Sequence, residues 1–183
     1  MRRISYVVVL LIVAVSSYLL LRGDGTQNKA ERRQPGVVSE LGKEVSRLIF
    51  DDAKDVVLYP VRSGMDDEET TICGLVVSGK SMVLDKEDKE ALLSLLSEKG
   101  MYLDEEVWPS APFIPEYLFE FRSRGKVSHL AISLSGGFMN VFHDHQYVRT
   151  LKYTQEYRML CLLSEIMPDD ESLKVLLNLQ TVR

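Results

Sequence analysis

The feature that most limits what this chain can fold into is the run of alternating segments between residues 117 and 151. Tyr117, Phe119 and Phe121 alternate with Leu118, Glu120 and Arg122, a period of two that sends successive side chains to opposite faces of a strand. The pattern predicts one buried face and one mostly wet face. Ser123-Arg124-Gly125 then turns the chain, and Leu130, Ile132 and Leu134 line a second strand, with His129 on its opposite face. Ser135-Gly136-Gly137 turns it again into Phe138 to Phe142, and a tight turn near Asp144 leads into Tyr147 to Leu151. Strands this close in sequence pair as an antiparallel meander of three to four strands.

The flanking segments read as helices and short strands. Ser39 to Phe50 places Leu41, Val45, Leu48 and Ile49 at helical spacing, with Ser39 as N-cap. Val56 to Val61 is a short β-rich run ended by Pro60 and the Ser63-Gly64 turn, and Met65 to Glu69 is a solvated acidic loop. Thr71 to Val77 reads as one strand apolar on both faces, turning as a β-hairpin at Ser78-Gly79-Lys80 into Ser81 to Leu84. Asp85 caps a helix whose buried stripe is Ala91, Leu92, Leu95 and Leu96, and Gly100 stops it. Met101 to Pro115 is irregular, with Trp108 placed to close one end of the core. Thr154 caps a helix through Met167, Pro168 ends it, and Asp169 or Asp170 starts a last helix through Leu179. The expected class is α+β, one two-layer domain over residues 38–183 with the meander packed by helices.

Ahead of this domain stands a different kind of sequence. Met1-Arg2-Arg3 precedes Ile4 to Leu21, eighteen residues without a charge. As a helix that run spans about 27 Å, enough to cross a bilayer's hydrocarbon core. Residues 1–22 are therefore expected to be a transmembrane anchor or signal segment. Ala14-Val15-Ser16 resembles a signal cleavage site, but the apolar run continues to Leu21, which favours an uncleaved anchor. Basic residues flank the run on both sides, and the short basic start favours a cytoplasmic N-terminus. Residues 23–37 then form a polar linker closed by Gln34-Pro35-Gly36; Arg22-Gly23-Asp24 within this exit is read as spacer. The expectation is a single-pass membrane protein with its bulk extracytoplasmic, or secreted if the segment is cleaved.

Of 22 Lys/Arg and 27 Asp/Glu, six and two lie in residues 1–33, leaving 16 and 25 and a formal charge of −9 over residues 34–183. That balance argues against nucleic acid or an anionic membrane surface as partner of the domain. Cys73 and Cys161 both sit in apolar runs, a setting of buried thiols, although outside the cytoplasm the pair can also form a disulfide.

Two motifs invite a chemical reading. Gly74 to Ser81 fits the G-x-x-x-x-G-K-[ST] phosphate-loop pattern, with Gly74, Gly79, Lys80 and Ser81 as its fixed positions. Such a loop needs a helix opening at Gly79 or Lys80, which would have to bury part of Asp85-Lys86-Glu87-Asp88-Lys89-Glu90; starting the helix after Asp85 removes that conflict. His143-Asp144-His145 has the spacing of a two-His metal pair on an extended strand, but falls between two strand runs, where Asp forms turns. Ser133, Ser135 and Cys161 lack a nucleophile setting. Asp51-Asp52, Asp66 to Glu69, Asp104 to Glu106 and Asp169 to Glu171 sit in loops or caps, as solvated carboxylates do.

Leu84-Asp85, Leu92 to Leu96, Tyr102, Pro115, Phe119, Phe121 and Thr154 to Pro168 together give a capped Leu-rich helix, a Pro-containing loop, an aromatic strand, a meander and a closing helix. In this order the span Leu84 to Pro168 resembles a class of small exported bacterial α+β domains of uncharacterised function. The class often carries Cys near the second meander turn, where this chain has Gly136 and Gly137. The resemblance implies a fold and no activity. The resulting expectation is a non-catalytic module that binds another envelope protein, tethered by residues 4–21 and needing no cofactor. The alternatives are a nucleotide-binding enzyme using Lys80 and Ser81, and a small-ligand or metal module built on His143 and His145.

Overall fold

The computed structural model describes residues 41–64, 70–98, 100–103 and 112–181, all within the compact unit Pro35–Arg183. The apolar run Ile4 to Leu21, the polar linker, the Ser39 cap, the Met65 to Glu69 loop and Trp108 lie outside the described residues. No helix among the described residues is long and apolar enough to cross a membrane.

An antiparallel sheet curls around one side of four helices. The elements in chain order are α1 (Lys43–Arg47, running on as a π-helical turn Leu48–Asp52), β1 (Asp55–Arg62), β2 (Thr71–Ile72), β3 (Leu75–Val77), β4 (Met82–Val83), α2 (Lys86–Leu96), β5 (Tyr117–Ser123), β6 (Lys126–Ser133), β7 (Phe138–His143), β8 (Gln146–Lys152), α3 (Glu156–Ile166) and α4 (Glu171–Thr181). The strand order is β2-β3-β1-β5-β6-β7-β8, with β4 beside β3 on the same edge of β1. The four-stranded meander β5 to β8 follows the alternation in the sequence, and β1 extends it.

One face of the sheet meets the helices. Val56 and Leu58 of β1, Phe119 and Phe121 of β5, Leu130 and Ile132 of β6, and Met139 and Val141 of β7 are buried against Val45 and Ile49 of α1, Leu92 and Leu96 of α2, and Met159 and Leu163 of α3. Each such side chain contributes about 1.5–3 kcal/mol by leaving water. The helix starts are fixed locally: Asp85 Oδ1 accepts from the Asp88 amide at 2.9 Å, and Asp170 Oδ1 accepts from Ser172 at 2.9 Å.

Several local expectations are corrected. Ala91 is exposed, and the stripe of α2 that is buried is Leu92, Leu95 and Leu96. Thr154 does not cap α3: its hydroxyl donates to the Gly100 carbonyl at 2.6 Å, and Gln155 is the residue at the helix start. Thr71 to Val77 is not one strand. Cys73 and Gly74, at φ 53° and 77°, form a two-residue turn with both residues left-handed, so the segment folds back on itself as the hairpin β2–β3.

Ser78-Gly79-Lys80 in turn does not reverse the chain. Val76 and Val77 pair with Arg62 and Val61, and Met82 and Val83 pair with Leu58 and Val57, so β3 and β4 run in one direction along β1. Ser78 to Ser81 bulge out opposite Tyr59 and Pro60. Pro60 has no N–H to give to a neighbouring strand, which explains a bulge at that point. It does not end β1, as the sequence suggested; its carbonyl accepts from the Ser78 amide at 2.9 Å. Gly79 sits over the proline ring, where an added Cβ would lie 3.1 Å from Pro60 Cγ.

The second sheet face is also covered, against the expectation of a wet one. Val61, Leu118, Ala131 and Phe142 form a smaller core there, closed by Tyr59, Ile72, Cys73, Leu75 and Phe113. The β2–β3 hairpin forms much of this cover.

Candidate metal centre

A polar cluster lies within this second face. The two-residue turn Arg124-Gly125 sets the β5–β6 register and puts Glu120 directly opposite His129. His129 is fully buried and Glu120 is 5% exposed. Glu120 Oε2 is 3.0 Å from His129 Nε2. An ionised carboxylate only accepts, so Nε2 carries the proton and Nδ1 keeps its lone pair. That nitrogen faces Cys73 Sγ at 3.4 Å.

Two hairpin tips complete the arrangement. Cys73 is brought by the β2–β3 turn. Asp144 and His145, at φ 45° and 63°, form the two-residue turn between β7 and β8, and the His145 ring centroid lies 5.1 Å from that of His129. One donor atom from each of Cys73, His129 and His145 falls within 4.8 Å of the other two. A zinc-like ion at ordinary Zn–S and Zn–N lengths holds its donors about 3.5 Å apart. The Cys73–His129 pair already has that separation, and His145 reaches it by a shift of about 1 Å on an exposed turn.

The surrounding charges orient the buried donor, His129. Glu120 Oε1 is ion-paired with the Arg122 guanidinium and accepts from the Tyr59 hydroxyl at 3.4 Å. Burial pushes the Cys73 thiol up to about 11, and the Glu120 charge adds to this. Burial also lowers the His129 pKa, against the upward pull of its hydrogen bond to Glu120. Burial thus biases His129 towards the neutral imidazole, the form in which histidine binds metal, and Glu120 sets its tautomer. A histidine that gives one N–H to a carboxylate and offers the other nitrogen is the usual support for a metal ligand.

The histidines singled out in the sequence are parted. His143 ends β7 on the helix-facing side, where Nδ1 is 2.8 Å from Ser128 Oγ and Nε2 is buried without a hydrogen-bond partner among the described residues, 3.7 Å from Asp144 and 3.8 Å from Glu44 carboxylate oxygens. His145 alone joins the cluster. Cys73 and Cys161 are both half-buried free thiols.

The phosphate-loop positions fall elsewhere. Gly74 is the second residue of the hairpin turn, while Gly79, Lys80 and Ser81 lie exposed in the bulge, and the next helix opens at Lys86. Gly79 and Lys80 border a cavity of about 640 Å³ shared with Glu116, Asp169 and Asp170. A phosphate entering it would meet three carboxylates.

Sequence reading missed Cys73, His129 and Glu120. A Cys-Gly pair between two β-rich runs was the available sign of a two-residue hairpin. Counting outward from Arg124-Gly125 would have paired Glu120 with His129.

No family model matches the chain, and no curated protein matches it. Among solved structures, the chain is similar to a Clostridium perfringens protein described as a "putative lipoprotein", with 14% sequence identity and a TM-score of 0.41, over 74% of this chain and 99% of that one.

Proposed function

We propose that this chain is a non-catalytic, membrane-tethered extracytoplasmic domain that binds a transition-metal ion through Cys73, His129 and His145. The observation that carries the reading is the convergence of one thiol and two imidazoles within 4.8 Å, with buried His129 oriented by Glu120. Thiolate and imidazole donors suit the zinc and copper class and not magnesium or calcium, which take oxygen ligands. The tether rests on the uncharged run Ile4 to Leu21 and the polar residues after it. Another envelope protein is the partner that a tethered module without a catalytic set favours.

The test is metal content of the full-length, detergent-solubilised chain after incubation with zinc and copper salts and gel filtration. One equivalent retained by the parent chain, and lost in both Cys73→Ser and His145→Ala, is the expected result. Retention unchanged in both variants would overturn the reading.

A second reading is favoured by one specific line of atoms. Cys73 Sγ, His129 Nδ1, His129 Nε2 and Glu120 Oε2 are linked at 3.4 Å and 3.0 Å, the order of a thiol nucleophile, a base and its orienting carboxylate. Its weakness is the thiol itself, raised to about 11 where a nucleophile is activated by a lowered pKa. Alkylation by iodoacetamide separates the two. Slow reaction of Cys73 at neutral pH fits the metal centre, and fast reaction that depends on His129 would favour the nucleophile.

A further inference from the structure

The donor count and the charge of this centre narrow the ion it selects. This step rests on the metal-binding reading above. Among the described residues the converging group is three donors and no more. Zinc in structural sites takes four protein ligands, and in three-ligand sites carries a water or substrate in the fourth position. Here the donor set supplies a single negative charge, the Cys73 thiolate, because His129 and His145 bind as neutral imidazoles. The other nearby anion, Glu120, is matched by Arg122. A divalent ion would leave a net positive charge beside the fully buried His129 ring and would lack the fourth protein ligand that a structural zinc site takes. A monovalent ion leaves the centre neutral. Among biological metals, the soft monovalent ion that thiolate selects is Cu(I).

We propose that the ion bound by Cys73, His129 and His145 is Cu(I), held in three-coordinate form. Glu120 is a positioning residue: it holds the His129 tautomer and does not touch the ion. Binding is a ligand exchange in which Cys73 gives its proton to solvent and Cu(I) leaves its carrier without changing oxidation state.

The experiment uses the full-length chain in detergent, without oxygen and with ascorbate present. Cu(I) is offered as its bicinchoninate complex, whose colour falls as copper is withdrawn, and Zn²⁺ is offered in parallel on a zinc-chelating dye. The expected result is one equivalent of Cu(I) withdrawn and not displaced by equimolar Zn²⁺. Cys73→Ser should lose this affinity by more than about 100-fold, Glu120→Ala should weaken it about 10- to 100-fold with Glu120→Gln restoring most of it, and Cys161→Ser should leave it intact. Far-UV circular dichroism of each variant confirms that it is folded; a Cys73→Ser chain that fails to fold is replaced by Cys73→Ala. One equivalent of zinc bound through Cys73, with copper left on its chelator, would overturn the ion and leave the metal-binding reading standing. Neither ion bound would overturn both. Copper taken equally by Cys73→Ser, or lost in Cys161→Ser, would overturn the site.

Discussion

Removing the Glu120 carboxylate tests the buried network apart from any metal. In Glu120→Ala the His129 Nε2–H, fully buried and 3.0 Å from its acceptor, is left without a partner. An orphaned buried donor costs about 1–3 kcal/mol. Arg122 and Tyr59 also lose a partner, but the Arg122 side chain is 55% exposed, so water replaces most of what it loses and the ion pair adds less than about 1 kcal/mol. The expected loss of stability is about 1–4 kcal/mol. Glu120→Gln keeps a carbonyl oxygen for His129 and should lose less than about 1 kcal/mol. The double variant Glu120→Ala/His129→Leu removes donor and acceptor together and should recover at least about 1 kcal/mol of the summed single losses. Urea unfolding of the metal-free, full-length chain in detergent, followed by far-UV circular dichroism, measures these three and the single His129→Leu variant that completes the cycle. A Glu120→Ala chain within about 0.5 kcal/mol of the parent, or single losses that simply add, would refute the network as drawn.

Four further outcomes are expected in the same assay. Asp85→Ala removes the acceptor for the Asp88 amide at the start of α2 and should cost about 1 kcal/mol. Gly79→Val pushes branched carbon onto the Pro60 ring, which already lies 3.1 Å from a Cβ at that position, and should cost about 1–3 kcal/mol. Burial raises the Glu116 pKa, against hydrogen bonds from Leu134 and Ser135; its folded value therefore exceeds the unfolded one, and the stabilisation from its protonated form is complete below about pH 4 and lost as pH rises through the folded value. Stability of the parent relative to Glu116→Gln should accordingly fall on going from pH 4 to neutrality, and a flat difference would contradict the shift. Cys73→Asn replaces a residue held at φ 53° with one that tolerates that conformation, and should raise metal-free stability by about 0.5–1 kcal/mol while ending metal binding.

What the sequence made legible was the part governed by local periodicity. The Tyr117 to Leu151 alternation predicts the meander because a period of two and short polar turns leave few other pairings. Asp85 and Asp170 predict helix starts because a cap acts within three residues. The β1 edge was not legible. Thr71 to Val77 has strand composition throughout, and only the backbone angles of Cys73 and Gly74 show that it doubles back. The bulge at Ser78 to Ser81 answers a missing N–H on Pro60, a residue on another strand whose pairing no local pattern states. The candidate metal centre was hidden for the same reason. His129 looked like an outward-facing strand residue because nothing in β6 says that the β2–β3 hairpin will cover it. His143 looked like a partner of His145 because the spacing of two holds only if the strand continues, and it ends at His143.

Backbone strain marks three hairpin tips. Among the described residues, four other than glycine have positive φ: Cys73, Arg124, Asp144 and His145. Each lies in a two-residue turn, where the right-handed twist of the strands favours a left-handed backbone and where Asn and Gly meet it at least cost. At the β5–β6 tip the second position is Gly125, so the strain is halved, and Arg124 carries no site. At the other two tips a donor atom occupies a strained position: Cys73 precedes Gly74, and His145 takes the position where glycine relieves the turn most. The Cys73-Gly74 tip has the same pattern as Arg124-Gly125, so the position that hairpin stability leaves unexplained is His145. Both tips overhang the one buried histidine whose tautomer is fixed by a carboxylate, so the two costs fall where a bound ion would recover them. In the proposed centre the sheet beneath would hold His129 in place, with the two turns lying over it.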